Sequence, residues 1–359
     1  MLRRLTSYHY SIIAAFILSL SFAVVFLFWH PSPENDLFAY FSWMDIMRAL
    51  EPDRLWHFIV SRGEFITMGY MYVVAKLGVY GLFQFFPSFL SLFIVQYVTL
   101  SYCRIRDLPL KYAWVGIFAF LAMYELFLIP SGVRSTIGFA LISLALYLEF
   151  VLGKKNARWL YVTATLIHLG MIIPALIRLF MSIPSTKFKR LVIAIVVCLS
   201  VLPIGYVLTA LTEGSSDIVS VNLYKLGYYM EYFAPWSGPY VYKIAKAIIM
   251  LFVCWRLYKA DSADKYGQFY LYAAALTVVL FGHYLLWYRL LELVLIGSPL
   301  LFARLVNLVK STGDRALVIG WCGAIVLLTL VGIRIQIVYF ESDDFKLYDT
   351  IPMYDSRAY

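Results

Sequence analysis

Residues Ser131–Arg178 read SGVRSTIGFALISLALYLEFVLGKKNARWLYVTATLIHLGMIIPALIR. Arg134 stands at the mouth of one apolar run. A short basic turn, Gly153–Arg158, follows it. The chain then turns apolar again and carries His168 deep into that phase. Titratable groups at membrane depth are costly and are functional candidates for that reason. The segment 159–182 must leave the basic turn and return to Lys187, Lys189 and Arg190. It is too short for two crossings of about 20 residues each. It therefore predicts two half-helices meeting at a bend near His168, Gly170 and Pro174. Broken backbone at that depth is tolerated only where protein buries it or a wet cavity receives it.

The rest of the chain supplies the setting. It is 62% hydrophobic and 14% charged, with a mean hydropathy of +0.79. Soluble domains are nearer half apolar and a quarter charged. Apolar runs long enough to cross a hydrocarbon core recur from end to end, so the expected class is all-α, a polytopic helical membrane protein. The net charge of +9 lies in short turns between apolar runs, where loop charge sets orientation. It gives no indication of a nucleic-acid partner. Cys103, Cys198, Cys254 and Cys322 have no CxxC spacing and read as small core residues.

Arg3 and Arg4 place the N-terminus in the cytoplasm. The first span is expected over 11–29 and is read as retained rather than cleaved. An outer loop, about 30–83, follows. Pro31 and Pro33 stop the first helix, Asn35 or Asp36 can cap the next, and 37–50 suits a helix lying in the interface. Loop charge favours one interfacial helix (64–80) plus one span (84–102). Further spans are expected at 112–130, 134–152, 191–210, 240–257, 268–286, 289–305 and 316–335. With the half-helices the expected total is about eleven, in a single integral membrane domain covering 1–359. A second outer loop, 211–239, is rich in tyrosine. The acidic tail, 337–359, is expected outside.

On this topology the chemically informative residues collect on one side. Asp36, Tyr40 and Glu64 lie in the first outer loop, and Arg134 and His168 at outer ends. Tyr224, Tyr228, Tyr229 and Glu231 lie in the second outer loop, with His283 and Arg289 at the turn before the 289–305 span. Two arginines and a histidine facing one cavity suit a phosphate-bearing lipid, because guanidinium is a permanently charged fork that fits phosphate. A carboxylate within reach of an acceptor hydroxyl can act as general base. Plainer readings stand beside these. Asp36 can be a helix cap, Arg134 a snorkelling anchor, and Arg289 half of an ion pair with Glu292. His168 and His283 can be structural, and the tyrosines an aromatic belt. No third ligand has metal-site spacing, so no metal and no cofactor is expected.

At these residues a resemblance enters. The motifs are Asn35-Asp36-x3-Tyr40, the run Gly132–Ala140, the Lys154-Lys155 turn, Ala164–Gly170, and Tyr288-Arg289-x2-Glu292. In order and spacing the chain resembles the EpsG-like branch of the Wzy-type bacterial polysaccharide polymerases, with a GT-C-like layout. The family's Arg-Gln is Arg134-Ser135 here, and its Glu-Pro is replaced by Arg62-Gly63-Glu64.

The resemblance implies a membrane glycosyltransferase of the bacterial inner membrane. It would polymerise polyprenyl-pyrophosphate-linked oligosaccharide repeat units into exopolysaccharide, capsule or O-antigen at the outer face. Asp36, Arg134 and His168 would be catalytic. Arg289, Tyr40, Glu64, Tyr228, Tyr229, Glu231 and His283 would bind substrate. The partners would be the lipid-linked donor and acceptor, membrane lipid, a flippase and a chain-length regulator. A transferase adding one sugar from a lipid-phosphate donor and a non-enzymatic glycan exporter are the alternatives.

Overall fold

The computed structural model describes residues 2–31, 36–62, 64–126, 128–201, 238–280, 283–312 and 345–347, with a few isolated positions between 320 and 334. The chain falls into two compact units, Met1–Met171 with Ser298–Tyr359, and Ile172–Gly297.

The first unit is built on a long antiparallel pair. Helix α1 (Leu2–Leu27) lies along α5 (Leu82–Ile105). Polar side chains fix their register. Tyr8 hydroxyl meets Ser101 Oγ at 2.8 Å, Gln96 donates to Ser19 Oγ at 2.9 Å, and Gln84 donates to the Trp29 carbonyl at 2.8 Å. Such bonds are a main means of specifying helix pairing in lipid, where apolar contact alone cannot discriminate. The outer face of α1 leaves Ile13, Phe16, Ile17, Val24 and Val25 exposed, as a lipid-facing helix requires.

Between α1 and α5 the first loop folds into α2 (Asp36–Ala49), α3 (Pro52–Arg62) and α4 (Phe65–Leu77). The interfacial helix expected over 64–80 and the span expected over 84–102 correspond to α4 and α5. The sequence did not anticipate α3, which begins on a proline, a residue suited to the first helical turn. Helix α4 ends at Gly78, whose φ of 72° and N–H bonds to the Val74 and Ala75 carbonyls close the last turn. Leu37, Tyr40, Met44, Met68, Met71, Phe83 and Val133 share one buried cluster. The loop is thus a packed cap seated on the start of the next long helix.

Helix α6 (Leu110–Met123) is shorter than the expected 112–130 span; the chain extends at Tyr124 and re-forms as the short α7 (Leu128–Ser131). Helix α8 (Val133–Leu146) continues through a π-helical turn, Tyr147–Val151, and packs on α5 and on α9 (Arg158–Ile167). The expected break at His168 is present: its backbone is extended (φ −150°, ψ 119°), and a 3₁₀ turn, Leu169–Met171, follows.

The second unit starts with α10 (Ile172–Met181) and α11 (Thr186–Val201). Its later helices are Gly238–Ala260, Lys265–Val279 and the part of Tyr284–Thr312 up to Gly297. Asp264 caps the second of these, accepting from Gly267 N–H at 2.6 Å.

Four described helices are long and apolar enough to cross a membrane: Thr6–Leu27, Leu82–Ile105, Val133–Val151 and Leu286–Val309. The expectation of about eleven spans is therefore corrected. Phe65–Leu77, Leu110–Met123 and Leu169–Met181 are apolar but too short for a core that needs about 20 residues. The helix Gly238–Ala260 has the length but carries Lys243, Lys246, Arg256 and Lys259. The expected 268–286 span stops at Val279. The second outer loop lies outside the described residues, as does most of the expected 316–335 span. The all-α expectation is modified by one short antiparallel strand pair, Trp29–Pro31 with Phe345–Leu347.

Candidate functional site

Glu64 occupies the residue before α4, the position from which a side chain ordinarily caps the helix. Its backbone carbonyl does accept from Met68 N–H at 2.9 Å, yet its carboxylate makes no capping bond. The carboxylate turns instead toward two distant basic side chains. Oε2 accepts from Arg134 Nη1 and pairs with it. Oε1 lies 2.7 Å from His168 Nδ1. One buried carboxylate therefore joins α4, α8 and the α9 break.

Arg134 sits in the first turn of α8, where the helix dipole opposes a cation. Glu64 supplies the compensation. The guanidinium also stacks over the Tyr40 ring of α2, with Cζ 4.7 Å from its centroid, a favourable cation–π geometry. Its Nε is buried and has no hydrogen-bond partner among the described residues. Only 19% of the Arg134 side chain is exposed, so it does not extend to solvent as a snorkelling anchor would.

His168 ends α9 and donates its backbone N–H to the Ala164 carbonyl. An ionised carboxylate only accepts, so the proton shared with Glu64 belongs to Nδ1. That assignment directs Nε2 away from Glu64, toward Gly170. A Cβ built on Gly170 would lie 2.9 Å from Nε2, closer than side chains tolerate. Nearby, Thr67 Oγ1 donates to the Ile167 carbonyl at 2.7 Å. That bond ties the first turn of α4 to the last residue of α9 and fixes Glu64 beside His168.

The electrostatics follow from this packing. Burial disfavours the charged form of Glu64, but the His168 hydrogen bond and the Arg134 and His168 charges outweigh it and lower its pKa to about 2. The carboxylate is ionised at neutral pH, and the cluster is neutral or singly positive according to whether His168 is protonated.

Of the sequence candidates, Tyr40, Glu64, Arg134 and His168 come together. Asp36 is exposed, in the first turn of α2 and four residues before Tyr40, hence on the same helix face one turn away. Arg289 belongs to the second unit and pairs with Glu292 on its own helix at 2.9 Å. His283 is buried just before that helix, and its carbonyl accepts from Trp287 N–H. Tyr224, Tyr228, Tyr229 and Glu231 lie outside the described residues. Among the described residues no third His, Cys, Asp or Glu joins Glu64 and His168 in a metal-ligand set. One residue escaped the sequence reading: Lys246, buried mid-helix with its ammonium 4.1 Å from the Tyr242 ring centroid. The four-residue spacing from tyrosine to lysine was the available signal.

Comparison of the chain with protein-family models, with curated proteins and with solved structures finds no match.

Proposed function

We propose that the chain is a membrane glycosyltransferase that polymerises polyprenyl-pyrophosphate-linked oligosaccharide units at the outer face of a bacterial inner membrane, with its N-terminus in the cytoplasm. The observation that supports this reading is the convergence of Arg134 and His168 on the Glu64 carboxylate beneath Tyr40. An arginine with a buried, unpartnered Nε beside an imidazole is a preorganised place for an oxyanion. Preorganised donors accelerate a reaction most where charge develops.

In the reaction proposed, a hydroxyl of the acceptor sugar attacks the anomeric carbon of the donor unit. The new C–O bond forms as the bond to the lipid pyrophosphate breaks, and the pyrophosphate leaves with the bonding electrons. Arg134 and His168 hold its oxygens, and Glu64 holds both of them in position. Asp36 takes the hydroxyl proton; it is exposed one helical turn from Tyr40 and suits a base that meets an incoming acceptor. Arg289, Tyr228, Tyr229, Glu231 and His283 are assigned to substrate binding.

The test is glycan length in cells producing Arg134→Ala at the normal protein level. The reading expects the polymer ladder to collapse toward single units. An unchanged ladder removes Arg134 from the mechanism. A product that gains one sugar, in the unaltered chain, replaces polymerisation by single-sugar transfer.

A further inference from the structure

At its far end α8 leads into a second polar feature. From Arg134 to Val151 the helix rises about 26 Å at 1.5 Å per residue, close to the ~30 Å of a hydrocarbon core. With Arg134 at one membrane surface, as the proposed function has it, the turn after Val151 reaches the other. There the π-helical turn ends with Leu152 N–H bonded to the Tyr147 carbonyl at 3.2 Å, and Lys154 N–H reaches back to the Leu148 carbonyl at 2.8 Å. A 3₁₀ turn, Lys155–Ala157, then starts α9.

Beside these bends lies an open hollow of about 380 Å³ lined by Leu148, Lys154, Asn156, Ala157 and Leu160. Three of the lining residues, Leu148, Ala157 and Leu160, are apolar, and two, Lys154 and Asn156, are polar. The charges around it do not cancel. Arg158 Nε lies 3.3 Å from Glu149 Oε1, and the Tyr161 hydroxyl lies 3.2 Å from Glu149 Oε2, so that acid is already matched. Lys154 and Lys155 are exposed, and neither ammonium joins an ion pair among the described residues. Trp159 stands beside them with 74% of its surface exposed, as tryptophan does at headgroup level.

We propose that this pocket binds one anionic phospholipid, its phosphate between Lys154 and Asn156 and the first acyl carbons against Leu148 and Leu160. Charge complementarity selects the headgroup, the apolar share of the lining selects a lipid over a free anion, and the position at the end of a long apolar helix supplies lipid directly. A site of this kind is stoichiometric, unlike the diffuse attraction of a basic loop for a charged surface.

Trp159 provides the readout. The full chain is reconstituted in phosphatidylcholine vesicles, and the Trp159 signal is taken as the difference from a Trp159→Phe chain. At equal mole fraction, brominated phosphatidylglycerol is expected to quench that signal several-fold more than brominated phosphatidylcholine, along a saturating curve. Unlabelled phosphatidylglycerol should reverse the quenching. Lys154→Gln should lower the preference about fivefold, the effect of about 1 kcal/mol for one lost hydrogen-bonding partner, and Lys154→Arg should retain it, whereas Lys155→Gln, outside the lining, should leave it unchanged. Equal quenching by the two lipids, or a linear response without saturation, overturns the site on the unaltered chain alone. Reversal by millimolar inorganic phosphate overturns the lipid assignment.

Discussion

Glu64 and His168 are separated by 104 positions in the chain and by 2.7 Å between Oε1 and Nδ1. The carboxylate has left the helix-capping role of its position to make this contact. That exchange of a local bond for a distant one is the signature expected where a site overrides local preference.

Replacing Glu64 by Gln should be more damaging than its size suggests. It leaves Arg134 buried without a counter-charge, and breaking a buried pair from one side costs about 3–5 kcal/mol. The variant should melt well below the unaltered chain in detergent, and Glu64→Gln with Arg134→Gln should recover part of the loss. Strict additivity of the two substitutions in a double-mutant cycle would refute the coupling.

Acid should act through the same carboxylate. Its pKa is lowered from 4.5 to about 2 on folding. A depressed acid contributes stability that is complete above the unfolded value and lost as pH falls through the folded one. The window is therefore pH 4.5 down to about 2, and the contribution is on the order of 3 kcal/mol. Melting curves across that window should fall less steeply for Glu64→Gln than for the unaltered chain.

Gly170→Ala should act on activity through the His168 ring. The added Cβ would meet the His168 ring edge, 2.9 Å from Nε2, and turn the imidazole out of line with Glu64. Polymer formation should drop by about tenfold, one decade for each 1.4 kcal/mol of misplacement, and the melting temperature should fall with it, because the bond between Glu64 and His168 is loosened. Full activity would show that the Nε2 edge of His168 is not used.

Asp36→Asn should abolish polymer formation without lowering the melting temperature, because Asp36 is exposed and surface substitutions change stability by about 0.5 kcal/mol or less. Tyr40→Phe keeps the ring over Arg134 and should retain most activity, whereas Tyr40→Leu should not. The glycan ladder reads all three. A ladder intact in Asp36→Asn assigns the base elsewhere.

Several features were legible without coordinates because their causes are local. The shortness of 159–182, with Gly170 and Pro174 after His168, dictated a broken helix. Loop charge favoured a single span within 64–102, and there α5 is long enough to cross a membrane while α4 is not. The three-residue spacing from Arg289 to Glu292 announced their ion pair. The span count failed for a related reason: hydropathy windows run across breaks such as the extended Tyr124, which apolar composition does not reveal.

The importance of Glu64 was not legible in this way. Its partners stand 70 and 104 positions away, and neither distance corresponds to a helical period. Arg62-Gly63-Glu64 departs from the expected motif, which drew attention toward Asp36.

The sequence by itself determined a helical membrane protein, the break at His168, and arginine and histidine as the polar groups to watch, since composition and short-range periodicity decide these. Only the tertiary structure decided that one glutamate binds both the arginine and the histidine. That choice depends on α4 packing against α9 through Thr67 and Ile167 and on the cap of α2 and α4 seated on Val133. Burial in that packing makes an unpaired charge expensive, and the pairing of Glu64 with Arg134 and His168 is the arrangement that satisfies it.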